Sequence, residues 1–163
     1  MVERLRDPEQ QIQPNGVDLT IEAVLRLTSR GALGDAAQGR RLPSRTALEP
    51  DPDGWYRLAA GPYVIVIHEV LNVPKDLMAL AFPRSTLLRC GARLGTAVID
   101  AGYHGQPEVL LVVEAPYGLD LGAEAGICQV VFFPLSETVE GYRGNYQGKF
   151  FTQLADRPGQ GPS

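Results

Sequence analysis

The sequence predicts a mainly β fold, a sandwich or barrel of short strands interrupted by one short helix. Three observations predict it. Short apolar runs rich in β-branched residues recur along the chain, and turn chemistry separates them. Few windows carry a long apolar period of the helical kind. Glycine (18) and proline (13) are spread through the 163 residues, the punctuation that many short strands require.

The expected strands are "GVDLTI" (16–21), "YVIVIHEVLNV" (63–73), "LMALAF" (77–82), "GTAVID" (95–100), "EVLLVVEA" (108–115) and "GICQVVFFPL" (126–135). Between them "PDPDG" (50–54), "AAGP" (59–62), "DAGYHGQP" (100–107) and "PYGLDLG" (116–122) carry turn residues. In "IQPNGVDLTI" (12–21), Asn15-Gly16 reads as a tight turn, with Asp18 just inside a strand. The plainer reading of Asp18 is an exposed residue in an alternating strand. The segment 28–54 is polar and irregular, a long loop or an edge excursion. The end of the chain from about 150, with "DRPGQGPS" at 156–163, is expected to be mobile. No internal repeat is visible, and a single domain over 1–163 is expected.

The one expected helix lies in "FPRSTLLRCG" (82–91). Ser85 is its candidate N-cap, Leu87 and Leu88 its apolar face and Gly91 its stop. Arg84 stands before the first turn and Arg89 near the last. An arginine and a hydroxyl beside the amides of a helix start can make an anion site. A surface helix with solvated arginines is the competing reading.

Composition narrows the function classes. Apolar residues are 44% and charged residues 21%, ordinary for a soluble globular domain. A formal net charge of −4 argues against a nucleic-acid protein that blankets phosphates, but leaves room for a small anionic ligand. Cys90 and Cys128 are expected to be two buried thiols, and His68 and His104 have no zinc-ligand spacing. No apolar run approaches a membrane span and the N-terminus lacks a signal-like apolar region, so a soluble, cytoplasmic protein with no membrane partner is expected.

Two stretches carry chemistry. "AVIDAGYHG" (97–105) sets Asp100 where an apolar strand meets a turn. Either Asp100 starts the turn by bonding its own backbone, or its carboxylate waits at a pocket rim to take a proton from water. "GYRGNYQGK" (141–149) combines three glycines, two tyrosines, an arginine, a glutamine and a lysine. Such a segment can wrap phosphates and pack a tyrosine on a base or sugar, or it can be a flexible basic tail.

Taken together, "QPNGVDLT", "PRSTLLRCG", "AVIDAGYHG", "GICQVVF" and "YRGNYQGK" resemble, in order and separation, the dUTP pyrophosphatase (dUTPase) and dCTP deaminase superfamily. The similarity is greatest to single-domain archaeal-type dUTPases and runs from about residue 12 to 149. It implies a distorted jelly-roll-like β-barrel, assembled as a homotrimer whose active sites lie between subunits. It also implies hydrolysis of dUTP to dUMP and pyrophosphate, with Mg2+ held through the triphosphate and by no direct protein ligand. Under it, Asp100 deprotonates the attacking water, and Tyr103 packs under the deoxyribose. Arg84, Ser85 and Thr86 hold phosphate oxygens from the helix start, and Gln129 also reaches the phosphates. Tyr142, Tyr146, Gln147 and Lys149 belong to an arm that closes over the nucleotide, while Asp18 and Arg89 support the site.

The deaminases of this superfamily carry a glutamate ten residues after the Asp100 equivalent as a proton shuttle. Leu110 stands there, so a deaminase is the alternative expected to fail unless a bulge near Pro107 brings Glu108 into the site. A bifunctional enzyme and a non-catalytic nucleotide-binding trimer complete the alternatives. Departures from the family pattern are Thr86 for serine, Glu124 where many members have glycine, Pro107 at a strand start, and a short stretch after Lys149.

Overall fold

The structure is a computed structural model and describes residues 1–35 and 39–151. Its central feature is an eight-stranded antiparallel sheet. Six strands form a continuous path, in the order Leu77–Pro83, Gly126–Pro134, Gly16–Leu27, Gly61–Ile67, Glu108–Val113, Ala92–Gly95. Ile12–Gln13 and Arg45–Leu48 add to Gly16–Leu27 off that path. The two ends of the path approach each other. Thr96 Oγ1 donates to the Ala81 carbonyl (3.0 Å), and Ile99 and Ala79 exchange backbone hydrogen bonds at 2.9 Å each. A mainly β, nearly closed barrel results, as the sequence predicts.

Strand Gly16–Leu27 is the member that bends the sheet. Its first half pairs with Gly126–Pro134 and its second with Gly61–Ile67, and irregularities fall at Ile21/Ala23 and at Gly126/Cys128. Such irregularities turn one long strand from one sheet into another. Leu19, Ile21, Val24, Ile65, Ile67, Leu111 and Ile127, all essentially inaccessible, fill the interior. Burying each stabilises the fold by about 1.5–3 kcal/mol.

Several expectations change. The strand begun at Gly16 runs on to Leu27, because its second half pairs with Gly61–Ile67 on one side and Arg45–Leu48 on the other. The hairpin turn before it centres on Pro14-Asn15, since Ile12 pairs with Val17 and Gln13 with Gly16. The 63–73 run breaks at His68–Glu69 into Gly61–Ile67 and Val70–Asn72. The stretch 95–100 is strand only to Gly95, with a single bridge at Ile99. The 28–54 excursion is partly ordered into strand pairs, Ala32–Leu33 with Arg40–Arg41 and Arg45–Leu48 with Val24–Leu27. A second helical turn, Pro8–Gln11, joins the expected helix; Asp7 caps it through the amides of Glu9 and Gln10. Cys90 is exposed and only Cys128 is buried, because Cys90 caps the C-terminal end of a surface helix. The tail at 156–163 lies outside the described residues, as does all of 150–163 after Phe151. No helix among the described residues is long and apolar enough to cross a membrane.

Candidate active site

Cross-strand register assembles the first group of site residues. Gln129 stands opposite Phe82 on one side and opposite Asp18 on the other. Directly opposed residues share a face of the sheet, so Asp18 and Gln129 meet. Gln129 Nε2 donates to Asp18 Oδ1 (3.2 Å), and Arg84 Nε pairs with Asp18 Oδ2 (3.1 Å). Asp18 is buried, which overturns its plainer reading as an exposed strand residue. Its carboxylate holds Arg84 by Nε while the arginine side chain stays 47% exposed, an arrangement that can offer guanidinium donors to an incoming phosphate.

Arg84 reaches this position because strand Leu77–Pro83 ends there. Arg84 N donates to the Ile127 carbonyl (3.1 Å), and the arginine then opens helix Ser85–Arg89. The N-cap is Arg84, not Ser85; its backbone is extended (φ −67°, ψ 143°) and its side chain makes no cap hydrogen bond. Ser85 and Thr86 are thus the first two helical residues, both exposed. Arg89 is exposed in the last turn, and Gly91 (φ +73°) supplies the expected stop. Gly126 lies beneath Arg84, where a Cβ would stand 2.5 Å from Nη1.

A second group forms around Asp100. Ile99 is bridged to Ala79, so Asp100 stands opposite Met78 at the far end of strand Leu77–Pro83. The Asp100 carbonyl accepts from Tyr103 N (3.1 Å), and Gly102 at φ +78° takes the turn position that favours glycine. The turn is closed by backbone alone. The Asp100 carboxylate is exposed and has no hydrogen-bond partner among the described residues. An aspartate bonding its own turn is therefore not what the structure holds.

The segment 141–151 packs on this turn in the same chain. Tyr142 N donates to the Ala101 carbonyl (2.7 Å), Gln147 Nε2 to the Gly102 carbonyl (2.9 Å), and Gly148 N to the His104 carbonyl (2.8 Å). Gln147 Oε1 accepts from His104 N (3.0 Å). The Tyr103 and Tyr142 rings meet edge to face, centroids 5.9 Å apart. Burial, with Tyr142 and Glu108 adding to it, pushes the Tyr103 hydroxyl up to about 12. Two cations approach the Tyr146 ring, Lys149 Nζ at 4.8 Å and Arg40 at 5.6 Å from its centre.

Within one chain these two groups stay apart. Arg84 and Asp100 lie at opposite ends of Leu77–Pro83, a separation of about 20 Å at strand rise. The Glu108 question also has a geometric answer. Strand Glu108–Val113 pairs with Gly61–Val66 without interruption, and Ile67 N donates to the Pro107 carbonyl (3.0 Å). No bulge forms there. Glu108 instead pairs with Arg45 at 2.6 Å, and Leu110 faces Gly95.

Sequence reasoning missed Gln106, whose Nε2 donates to the Ile67 and His68 carbonyls and whose Oε1 anchors Phe151 N. It also missed Arg40, Gln11 and Glu69. None of the four sits in a motif with a chemical signature. Among the described residues, no group of three or more His, Cys, Asp or Glu side chains could hold a metal ion.

A model of the dCTP deaminase-like family matches residues 1–135. The chain is 45% identical over 150 residues to the probable deoxyuridine 5′-triphosphate nucleotidohydrolase of Methanococcoides burtonii, covering 91% of this chain and 88% of that one. To the protein of the same description from Archaeoglobus fulgidus it is 45% identical over 143 residues, covering 88% and 84%. To the deoxyuridine 5′-triphosphate nucleotidohydrolase of Methanocaldococcus jannaschii it is 32% identical over 142 residues, covering 86% and 90%. In fold it is similar to the 2′-deoxycytidine 5′-triphosphate deaminase from Agrobacterium tumefaciens, with TM-score 0.62 at 20% identity, over 81% of this chain and 42% of that chain. The matched region covers less than half of that deaminase. By sequence, the chain belongs to the dCTP deaminase-like family, alongside its archaeal deoxyuridine 5′-triphosphate nucleotidohydrolases.

Proposed function

We propose that this chain is a cytoplasmic dUTP diphosphatase, hydrolysing dUTP to dUMP and pyrophosphate as one domain in a homotrimer. The observation that carries the reading is the split of the site. Arg84, Asp18 and Gln129 form one half, and Asp100 with Tyr103 the other, about 20 Å away along one strand. A catalytic carboxylate and a phosphate cradle so separated can serve one substrate only if neighbouring copies bring opposite halves together. Such a reaction limits uracil entry into DNA and supplies dUMP for dTMP synthesis.

In this reading Arg84 takes triphosphate oxygens with its guanidinium, beside the Ser85 and Thr86 hydroxyls and Gln129. Asp100, with no hydrogen-bond partner among the described residues, takes a proton from water as the water oxygen bonds to the α-phosphorus. The bond from that phosphorus to its bridging oxygen breaks, and pyrophosphate leaves with the electron pair. Mg2+, bound through the triphosphate, would supply charge neutralisation on the leaving group. Asp18 is already engaged by Arg84 and Gln129, which fits a metal held by phosphate oxygens and not by that carboxylate. Tyr103 bears on the sugar, and Tyr142, Tyr146, Gln147 and Lys149 cover the nucleotide. Arg89 supports the assembly from the helix end.

The pairing of Glu108 with Arg45 and the apolar Leu110 weigh against deamination. Incubating the protein with dUTP, dCTP or UTP and Mg2+ tests the proposal. Pyrophosphate and dUMP from dUTP are expected, with no pyrophosphate from UTP. Binding of dUTP without turnover would favour a nucleotide-binding trimer instead.

A further inference from the structure

The least accessible polar side chain among the described residues lies outside the site just described. Glu69, in the short link between strands Gly61–Ile67 and Val70–Asn72, has no solvent-exposed surface. Its carboxylate accepts three hydrogen bonds, from Gln11 Nε2 (2.7 Å), Thr20 Oγ1 (2.7 Å) and Thr20 N (2.8 Å). Thr20 is where strand Gly16–Leu27 leaves Gly126–Pro134 and takes up Gly61–Ile67. At that change of partner, the Thr20 amide bonds to the Glu69 side chain. Glu69 is thus a side-chain rung in the ladder, and only an acceptor with no donors of its own fits all three partners.

From this rung two routes lead to the Arg84 cluster. Gln11 Nε2 also donates to the Asp18 carbonyl (2.8 Å), fixing the backbone of the residue that holds Arg84 and Gln129. The Thr20 hydroxyl accepts from Arg6 Nε (3.1 Å), and Arg6 Nη1 pairs with Glu124 (2.8 Å) in the turn before Gly126. Gly126 is the residue beneath Arg84. Glu124, a departure from the family pattern, thus has a partner and a place.

We propose that Glu69 is a positioning residue for the phosphate-binding half of the site, acting through Asp18 on one route and the Glu124–Gly126 turn on the other. The inference rests on the reading of Arg84 as a phosphate ligand. Glu69→Gln keeps the shape but turns its amide nitrogen toward either the Thr20 amide or Gln11 Nε2, one on each carboxylate oxygen and both donors only. The rung loosens, and the Arg84 cluster loses its aim while the Asp100 half is untouched.

Calorimetry with the non-hydrolysable α,β-imido analogue of dUTP and with deoxyuridine tests this, using Glu69→Gln, Gln11→Met and Arg84→Ala, each checked for trimer elution and melting temperature. Glu69→Gln is expected to weaken the triphosphate analogue by about 10–100-fold, as supporting residues around a binding site do, with deoxyuridine within about threefold. Gln11→Met, which cuts one route and leaves both Thr20 bonds, is expected to give a smaller loss of the same selectivity and decides the matter if Glu69→Gln does not fold. Arg84→Ala separates the two failures. No selective loss in Arg84→Ala overturns the phosphate reading itself. Selective loss in Arg84→Ala, with equal or no losses for the two ligands in the folded Glu69 and Gln11 variants, overturns the positioning role alone.

Discussion

Gly126→Ala is a small change with a large expected consequence for binding and little for folding. The added Cβ would stand 2.5 Å from Arg84 Nη1, with Cζ at 3.5 Å and Cδ at 3.6 Å. Only the tip of the guanidinium clashes. Ordinary contact needs about 3.5 Å, so Nη1 must retreat by about 1 Å. Gly126 is not in the left-handed region, and alanine there lowers the entropy of the unfolded chain. The melting temperature should therefore hold or rise slightly. The guanidinium, however, is pulled from the aim that Asp18 gives it at 3.1 Å. A charge-assisted hydrogen bond is worth about 1.5–3 kcal/mol. Because the Arg84 side chain is 47% exposed, water screens it and the lower end applies. A loss of about 1.4 kcal/mol is a tenfold weakening of the triphosphate. Calorimetry with the imido analogue reads it, with deoxyuridine as control. Unchanged affinity for the analogue would refute the assignment of Arg84 to phosphate, and equal weakening of both ligands would show a general distortion of the site.

Three further outcomes are expected. Given dCTP, the wild-type protein releases no ammonia, because Leu110 cannot carry a proton and Glu108 is held by Arg45 at 2.6 Å; release that disappears in Glu108→Gln would return the chain to the deaminase branch. Cys90 reacts at once with a thiol reagent at pH 8, whereas Cys128 reacts only on unfolding, since burial pushes its thiol up to about 12, with the Glu69 and Asp18 carboxylates adding to it; equal rates would contradict the core placement. Tyr103 contributes stability that is complete below its ordinary value of 10.0 and lost as pH rises through about 12. The loss is about 2–3 kcal/mol, and urea unfolding at pH 9 and 12 should show a smaller drop in Tyr103→Phe than in the wild type.

The strands at 63–67, 77–82, 108–113 and 126–134 are legible because β-branched and apolar residues crowd between turn residues. Trp55–Leu58 and Leu119–Gly122 are not, since Arg57 and Asp120 interrupt them; "PDPDG" announces a turn before the first, and the second lies inside "PYGLDLG" (116–122), read as a turn but paired with Trp55–Leu58 over 119–122. Helix Pro8–Gln11 carries its signals, Asp7 at the cap and proline at the first position, but it is too short for an apolar period. The same contrast holds in the site. Asp100 and Gly102 declare a turn locally, and the turn is there. That Asp18 meets Gln129 depends on strand register between residues 111 apart, which no local pattern encodes. Gln11, Glu69 and Gln106 look like ordinary polar residues until tertiary packing removes their water.

The central claim is that the Asp100 carboxylate activates water for a triphosphate held by the other half of the site. Asp100→Asn tests it most directly, because the carboxylate has no hydrogen-bond partner among the described residues and the exchange should leave the turn intact. The measurement is pyrophosphate release from dUTP with Mg2+, beside calorimetric affinity for the imido analogue. The expected result is a fall in turnover of about 10²–10⁴-fold with analogue affinity within about threefold of wild type. Turnover near the wild-type rate in a variant that binds normally would contradict the account.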